Sequence, residues 1–255
     1  MFKRFKIKEY SKQLNIMKKI KKALILGGSS DIGIEVVKIF LKLDWEVVAH
    51  FSKNKKVLEK LKINNKKLKI IKYDFSKYKN KNFEKSLKKK FSSEFNSFIN
   101  LIGYTDNKSF YTTNLENIIK TLTINTIIPI IIQKLIINKM LKNKWGRILN
   151  CSGIGVKYGG GKNNFNYSLS QHTREFIPSV FKNWAKENVF INNLRIGVTD
   201  TKLHKRIKKN MNERVKLIPI NRMATPKEIA NYIIKLTIEE NSYMTGQTIS
   251  ISGGE

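Results

Sequence analysis

The sequence predicts an α/β fold: a doubly wound, mostly parallel seven-stranded sheet with helices on both faces. Three observations predict it. Short apolar runs rich in β-branched residues recur along the 255 residues. Longer segments with helical spacing of apolar residues lie between them, the pattern of strands alternating with helices in a parallel sheet. A glycine cluster, Gly27, Gly28 and Gly33, separates the first run from the first helical segment.

The expected strands are residues 23–26, 46–50, 69–73, 97–101, 147–151, 190–195 and 248–251. In the helix after the first strand, Val36, Val37, Phe40 and Leu41 fall on one face, and Glu35, Lys38 and Lys42 take the other. That apolar face must pack on the sheet. Residues 127–141 form the most apolar stretch, but Pro129, Gln133, Lys134, Asn138 and Lys139 interrupt it. It is too short and too polar for a membrane span and reads as a buried or interface helix.

With 41% hydrophobic residues and no Pro/Gly/Ser-rich linker, the chain is long enough for one sizeable core. Residues 21–255 are expected to form a single domain behind a basic, poorly ordered arm, residues 1–20, in which Met17 offers an alternative start. A lone cysteine, Cys151, and three scattered histidines, His50, His172 and His204, give neither a disulfide framework nor metal-ligand spacing. Cysteine usage fits a reducing compartment, hence the cytoplasm. Cys151 reads as a small buried apolar side chain and His172 as a helix-surface residue.

The formal net charge is +31. Such a field attracts polyanions, but sixteen lysines between Lys53 and Lys90 are spread through amphipathic segments rather than massed together. They form a solvated face, and no specific nucleic-acid partner is expected.

The glycine cluster has the context of a dinucleotide loop. Glycine lets the backbone turn tightly and approach a pyrophosphate, the helix N-terminus supplies unpaired N–H groups, and Ser29 and Ser30 add hydroxyls. Asp31 stands where it can cap the helix.

From Lys21 to Glu255 the chain resembles the classical short-chain dehydrogenase/reductase family. Leu26, Gly27, Asp31, Ile32 and Gly33 stand in the places of its cofactor loop, Thr-Gly-x-x-x-Gly-x-Gly, with Leu26 and Asp31 departing from the pattern. Asp74 and Phe75 look like its adenine-contacting pair, and Asn100 to Gly103 stands where the family has Asn-Asn-Ala-Gly. Asn125 resembles the asparagine that holds a proton-relay water. Gly197, Thr199 and Thr201 lie in a segment similar to the one that contacts nicotinamide. The resemblance implies a Rossmann-like fold, an NAD or NADP cofactor, a small or carrier-bound carbonyl substrate, and a homodimer or homotetramer pairing through the 127–141 helix and the Tyr167 helix. At the end of the second strand no acid is present to accept from a ribose hydroxyl, and Ser52 and Lys53 favour NADP over NAD.

By the same resemblance Tyr167 is the proton donor, but Gln171 stands where the family has its lysine. A free phenol has a pKa of about 10, and a neighbouring ammonium is what makes its anion accessible. Gln171 supplies hydrogen bonds and no charge. Gly153 replaces the substrate-binding serine, while Ser152, one residue earlier, points to the opposite side unless the chain has already left the strand. Arg174, seven residues after Tyr167 on the same helix face, reads first as a surface charge beside Glu175. The basic segment 202–217 reads as a solvated amphipathic lid. Tyr167, Asn125, Ser152 and Gln171 are therefore the candidate catalytic residues of a hydride-transferring oxidoreductase. The alternative is a dinucleotide-binding relative that lacks catalysis and acts as an assembly partner.

Overall fold

The computed structural model describes residues 21–202 and 211–255; the arm at residues 1–20 and lid residues 203–210 lie outside them. Strands β1 (Lys22–Leu26), β2 (Glu46–Phe51), β3 (Leu68–Lys72), β4 (Ser97–Asn100), β5 (Gly146–Gly153), β6 (Val189–Ile196) and β7 (Thr248–Ile251) form one sheet in the order 3-2-1-4-5-6-7. Every neighbouring pair is parallel. Each expected strand is present, with ends that coincide or shift by one or two residues, which is where fraying and local bonding override composition.

The helices are α1 (Asp31–Lys42), α2 (Lys56–Ile63), α3 (Phe83–Phe91), α4 (Leu115–Leu122), α5 (Ile128–Lys142), α6 (Phe165–Arg174), α7 (Phe181–Lys186), α8 (Met211–Lys216) and α9 (Pro226–Thr237). One face of the sheet is covered by Val36, Val37 and Phe40 of α1 and Ile229, Ala230 and Ile233 of α9. On the other lie Phe83, Leu87 and Phe91 of α3 and Ile128, Ile132, Ile136 and Met140 of α5. Because both faces are covered, β1 does not alternate: Ala23, Leu24, Ile25 and Leu26 are all fully buried.

A five-residue π turn, Thr123–Ile127, joins α4 to α5. The resulting run, Leu115–Lys142, is long and apolar enough by composition to cross a bilayer, yet its inward residues form half of the core beneath the sheet. It is the buried helix that residues 127–141 predict.

Strand order reverses between β1 and β4, and the loops leaving their C-terminal ends diverge there to open a crevice, the usual ligand position in such sheets. The loops meet closely: a β-carbon on Gly27, whose φ is +77°, would sit 2.8 Å from the Leu101 carbonyl oxygen. Only glycine fits both that backbone and that approach.

Candidate active site

The loop after β1 is fixed by its own hydrogen bonds. Ser30, not Asp31, caps α1: its hydroxyl oxygen accepts from the Gly33 N–H at 3.0 Å and its proton goes to the Gly27 carbonyl at 2.8 Å. The expected cap at Asp31 is thus corrected, because the N-cap must precede the helical turn and Asp31 already lies inside it. Asp31 instead accepts from the Lys202 backbone N–H at 2.7 Å, which ties the segment after β6 to this loop. A side chain on Gly33 would press to 2.5 Å from the Gly27 carbonyl. Ser29 is half-buried and Ile32 packs against the core.

His50, given no role by its sequence context, holds the loop from below. Its Nδ1 accepts from the Gly27 N–H at 3.3 Å, so the ring proton sits on Nε2, which donates to the Tyr73 carbonyl at 2.9 Å. The imidazole stacks on Phe75, centroids 4.5 Å apart and planes 7° apart. Burial pushes its pKa down to about 4, against the opposing effects of the Tyr73 carbonyl and Asp74. Its signal is visible only once β1, β2 and β3 are known to be neighbours.

Ser52 is half-buried and Lys53 exposed beyond β2. Asp74 accepts from the Ser76 N–H and hydroxyl at 3.0 and 2.8 Å. Burial raises its pKa, but these bonds and the charges of Lys77 and Lys53 outweigh it and leave the carboxyl below its usual value. An open cleft of about 330 Å³ next to the loop, lined by Asp31, Glu35, Asp200 and Lys202 among others, does not reach Tyr167. It is too acidic to take a pyrophosphate.

At the C-terminal ends of β4 and β5 the backbone closes around one hydroxyl. A β-carbon on Gly103 would lie 3.8 Å from the Tyr167 hydroxyl oxygen, and one on Gly153 would lie 3.9 Å from it. Tyr167 is half-buried; enclosure of its phenol raises the pKa, and the charge of Arg174 opposes that rise. Gln171, one turn on, is buried, and its Nε2 has no partner. Asn100 is likewise buried with Nδ2 unpaired, its Oδ1 accepting from the Ile102 N–H at 3.3 Å. Orphaned donors on Gln171, one turn from Tyr167, and on Asn100, the last residue of β4, fit a ligand rich in acceptor oxygens, as a nicotinamide riboside is. Gly197 leaves no room for a side chain against Ser252, and buried Thr199 donates to the Gly197 carbonyl at 3.0 Å. Thr201, half-buried, precedes the Asp31 contact.

Three residues depart from the expected arrangement. Ser152 is not brought to the site. Strand β5 runs through Gly153, so alternation holds, and the Ser152 hydroxyl donates to Glu175 Oε1 at 2.5 Å. Glu175 also accepts from Arg195 Nε and Nη2 at 2.9 and 2.6 Å. Asn125 is bonded throughout: Oδ1 accepts from the Tyr104 N–H, Nδ2 donates to the Tyr104 carbonyl and the Ser170 hydroxyl, each at 2.8 Å, and its carbonyl accepts from Arg174. Arg174 is not a surface charge. It is buried, with 4% of its surface exposed, because α6 turns it inward on the face that carries Tyr167. Cys151 is buried as expected, its thiol pushed up to about 12 and inert, while His172 is exposed.

A family model described as enoyl-(acyl carrier protein) reductase matches residues 27–255. The chain is 30% identical over 179 residues to a 3-oxoacyl-(acyl-carrier-protein) reductase of Aquifex aeolicus, covering 67% of this chain and 72% of that one. Among solved structures, YwfH, an NADPH-dependent reductase involved in bacilysin biosynthesis, is 25% identical with a TM-score of 0.80, covering 92% of this chain and 98% of that one. A 3-oxoacyl (acyl-carrier-protein) reductase from Agrobacterium tumefaciens with NADP bound shares the fold at 20% identity and a TM-score of 0.81, covering 92% and 94% of the two chains. With the family model matched almost from the phosphate loop to the last residue, the chain belongs to the short-chain dehydrogenase/reductase family of NAD(P)-dependent oxidoreductases.

Proposed function

We propose that this chain uses NADPH to reduce a carbonyl on a small or carrier-bound acyl substrate, with Tyr167 as the proton donor. The observation that carries the reading is the enclosure of the Tyr167 hydroxyl by Gly103 and Gly153, beside the unpaired amide of Gln171. Bound at this crevice, reduced nicotinamide supplies the hydride. The Gly27–Gly33 loop and the α1 N-terminus bind the diphosphate, Asp74 and Phe75 border the adenine, and Gln171 and Asn100 donate to the riboside. Gly197, Thr199 and Thr201 form the wall on the nicotinamide side. Tyr167 delivers its proton to the carbonyl oxygen, and its raised pKa keeps it protonated near neutrality.

Lys53 supports NADP over NAD, since it is exposed after β2 where no carboxylate stands to accept from a ribose hydroxyl. The relative from A. aeolicus is a reductase of carrier-bound acyl groups, and the formal charge of +31 suits an acidic carrier. Leu115, Ile119, Ile127 and Ile130 remain exposed along the α4–α5 run, which supports a homodimer or homotetramer through that face. The single cysteine, Cys151, buried and free, supports a reducing compartment and hence the cytoplasm.

The test is fluorescence titration with NADPH and NADH, followed by turnover against a panel of 3-ketoacyl thioesters, keto-esters and ketones. Tight NADPH binding with turnover of a ketoacyl substrate is expected. Tight binding with no turnover of any substrate would establish the non-catalytic reading instead.

A further inference from the structure

We propose that Arg174 is a positioning residue for the Tyr167 hydroxyl: a guanidinium fixed inside the protein that supplies the positive charge Gln171 cannot, and that stabilises the phenolate left when Tyr167 releases its proton. The proposal rests on the reading of Tyr167 as proton donor.

Three observations carry it. Arg174 is buried without a carboxylate partner among the described residues, because its neighbour Glu175 is bonded to Arg195 and Ser152. A buried cation with no counter-charge is costly, and such groups concentrate where charge develops during a reaction. Its position is fixed by neutral acceptors only. Nε and Nη2 donate to the Asn125 carbonyl at 3.0 and 2.7 Å, and Nη1 donates to the Cys151 carbonyl at 2.7 Å. These bonds hold the group without neutralising it, and they engage the π turn Thr123–Ile127, a rare distortion that is frequent at functional sites. Thirdly, Tyr167 and Arg174 lie two turns apart on the same face of α6 and act on each other electrostatically: Arg174 counters the effect of burial on the phenol, and the phenol counters the effect of burial on the guanidinium. Arg174 is brought down to about 10 and so stays charged at neutral pH.

The other groups around the phenol bring no competing charge of this kind. Cys151 on β5 is a neutral thiol, Gln171 on α6 is an amide, and Asn125 on the π turn is neutral. Asp106, on the segment after β4, is held by Asn166 at 2.7 Å and by Thr121 at 3.4 Å, and Glu175 is locked to Arg195. His172 faces out from α6.

The reaction then balances without a lysine. The Tyr167 O–H bond breaks as its proton goes to the carbonyl oxygen, the carbonyl carbon would take the hydride that a bound reduced nicotinamide would supply, and the phenolate left behind is stabilised by the Arg174 charge until water returns a proton. The Asn125 carbonyl, doubly engaged by Arg174, serves here as an anchor for the guanidinium.

Full-length wild type, Arg174→Gln, Arg174→Met, Arg174→Lys and the double variant Gln171→Lys/Arg174→Met would be compared. Tyrosinate absorbance is titrated for each protein against its Tyr167→Phe counterpart, alongside NADPH titration and the pH dependence of kcat. Loss of the charge is expected to raise the Tyr167 titration by about one pH unit or more, and to lower kcat roughly 10–100-fold. NADPH affinity stays within about twofold, since Arg174 is not placed on the cofactor. Arg174→Lys and the double variant should bring the titration back toward wild type. A folded Arg174→Gln or Arg174→Met protein with an unmoved Tyr167 titration overturns the proposal. If Arg174→Met does not fold by circular dichroism, Arg174→Gln decides; should that also fail, an Arg174→Lys titration displaced from wild type overturns it. Absence of turnover in the wild type would sink the oxidoreductase reading alone, because the titration needs no substrate.

Discussion

Gly153 and Tyr167 face each other across the crevice: a β-carbon at position 153 would lie 3.9 Å from the phenol oxygen, in ordinary contact with it and with nothing nearer. The φ of Gly153 is −105°, which any residue adopts. Serine therefore fits there without strain, its hydroxyl beside the proton donor. Gly153→Ser is expected to leave the melting temperature within about 1–2 °C, since the added atoms fill open space. A new hydrogen bond to the substrate oxygen should raise kcat roughly tenfold, worth about 1.4 kcal/mol. Steady-state kinetics on the same ketoacyl substrate checks it, and an unchanged or lowered kcat counts against Tyr167 as the proton donor.

His50 gives the fold a pH dependence of known sign. Its folded pKa lies near 4, below the ordinary 6.5, so between these values the unfolded chain binds the proton and the folded protein does not. The stability that His50 lends is complete above about pH 6.5 and is lost as pH falls through about 4. The shift of about 2.5 corresponds to about 3 kcal/mol at most. Urea unfolding at pH 7 and pH 4.5 should show wild type losing stability, and His50→Asn losing less between the two. NADPH affinity should also fall in His50→Asn, because Gly27 loses the acceptor that sets the loop.

Lys53 is expected to set the choice between the two nicotinamide cofactors. Its ammonium is exposed just beyond β2 and within electrostatic reach of Asp74, so a 2′-phosphate bound there would meet a screened charge. Lys53→Glu should weaken NADPH binding about tenfold and strengthen NADH binding, with the NADPH effect shrinking as salt rises. Equal affinities in wild type and variant would remove Lys53 from the site.

The architecture was legible because its signals are local. β-branched runs recur at strand length, Val36, Val37 and Phe40 repeat at helical spacing, and Gly27 and Gly33 bracket a turn that tolerates no side chain. Strand alternation argued against Ser152, which still stood among the candidate catalytic residues because a strand ending before it would have turned it inward; β5 runs on through Gly153 and the alternation holds. Arg174 was not legible. Helical phase puts it on the Tyr167 face, but sequence does not show that Asn125 and Cys151 bring their carbonyls there, and adjacent Glu175 suggests a surface pair. The carboxylate's partner is Arg195, twenty residues on, because β5 and β6 place Ser152 opposite Arg195. His50 hid for a similar reason: its two partners, Gly27 and Tyr73, directly follow β1 and β3, which sequence distance separates and sheet order brings together.

The Ser152–Glu175–Arg195 cluster separates stability from chemistry, since it lies on the side of β5 that turns away from the phenol. Ser152→Ala removes one charge-assisted bond at 2.5 Å and is expected to cost about 1.5–3 kcal/mol. Glu175→Ala removes all three contacts and leaves Arg195 unpaired. Arg195 retains 26% side-chain exposure, so water meets part of that charge, and the cost is about 2–4 kcal/mol rather than that of a fully buried break. At 2–4 °C per kcal/mol for a chain of this size, the melting temperature should drop by about 3–16 °C across the two variants. NADPH affinity and kcat of Ser152→Ala should stay within about twofold of wild type, because its hydroxyl is spent on Glu175. A large loss of kcat in Ser152→Ala with its melting temperature unchanged would mean that the hydroxyl leaves Glu175 and reaches the substrate.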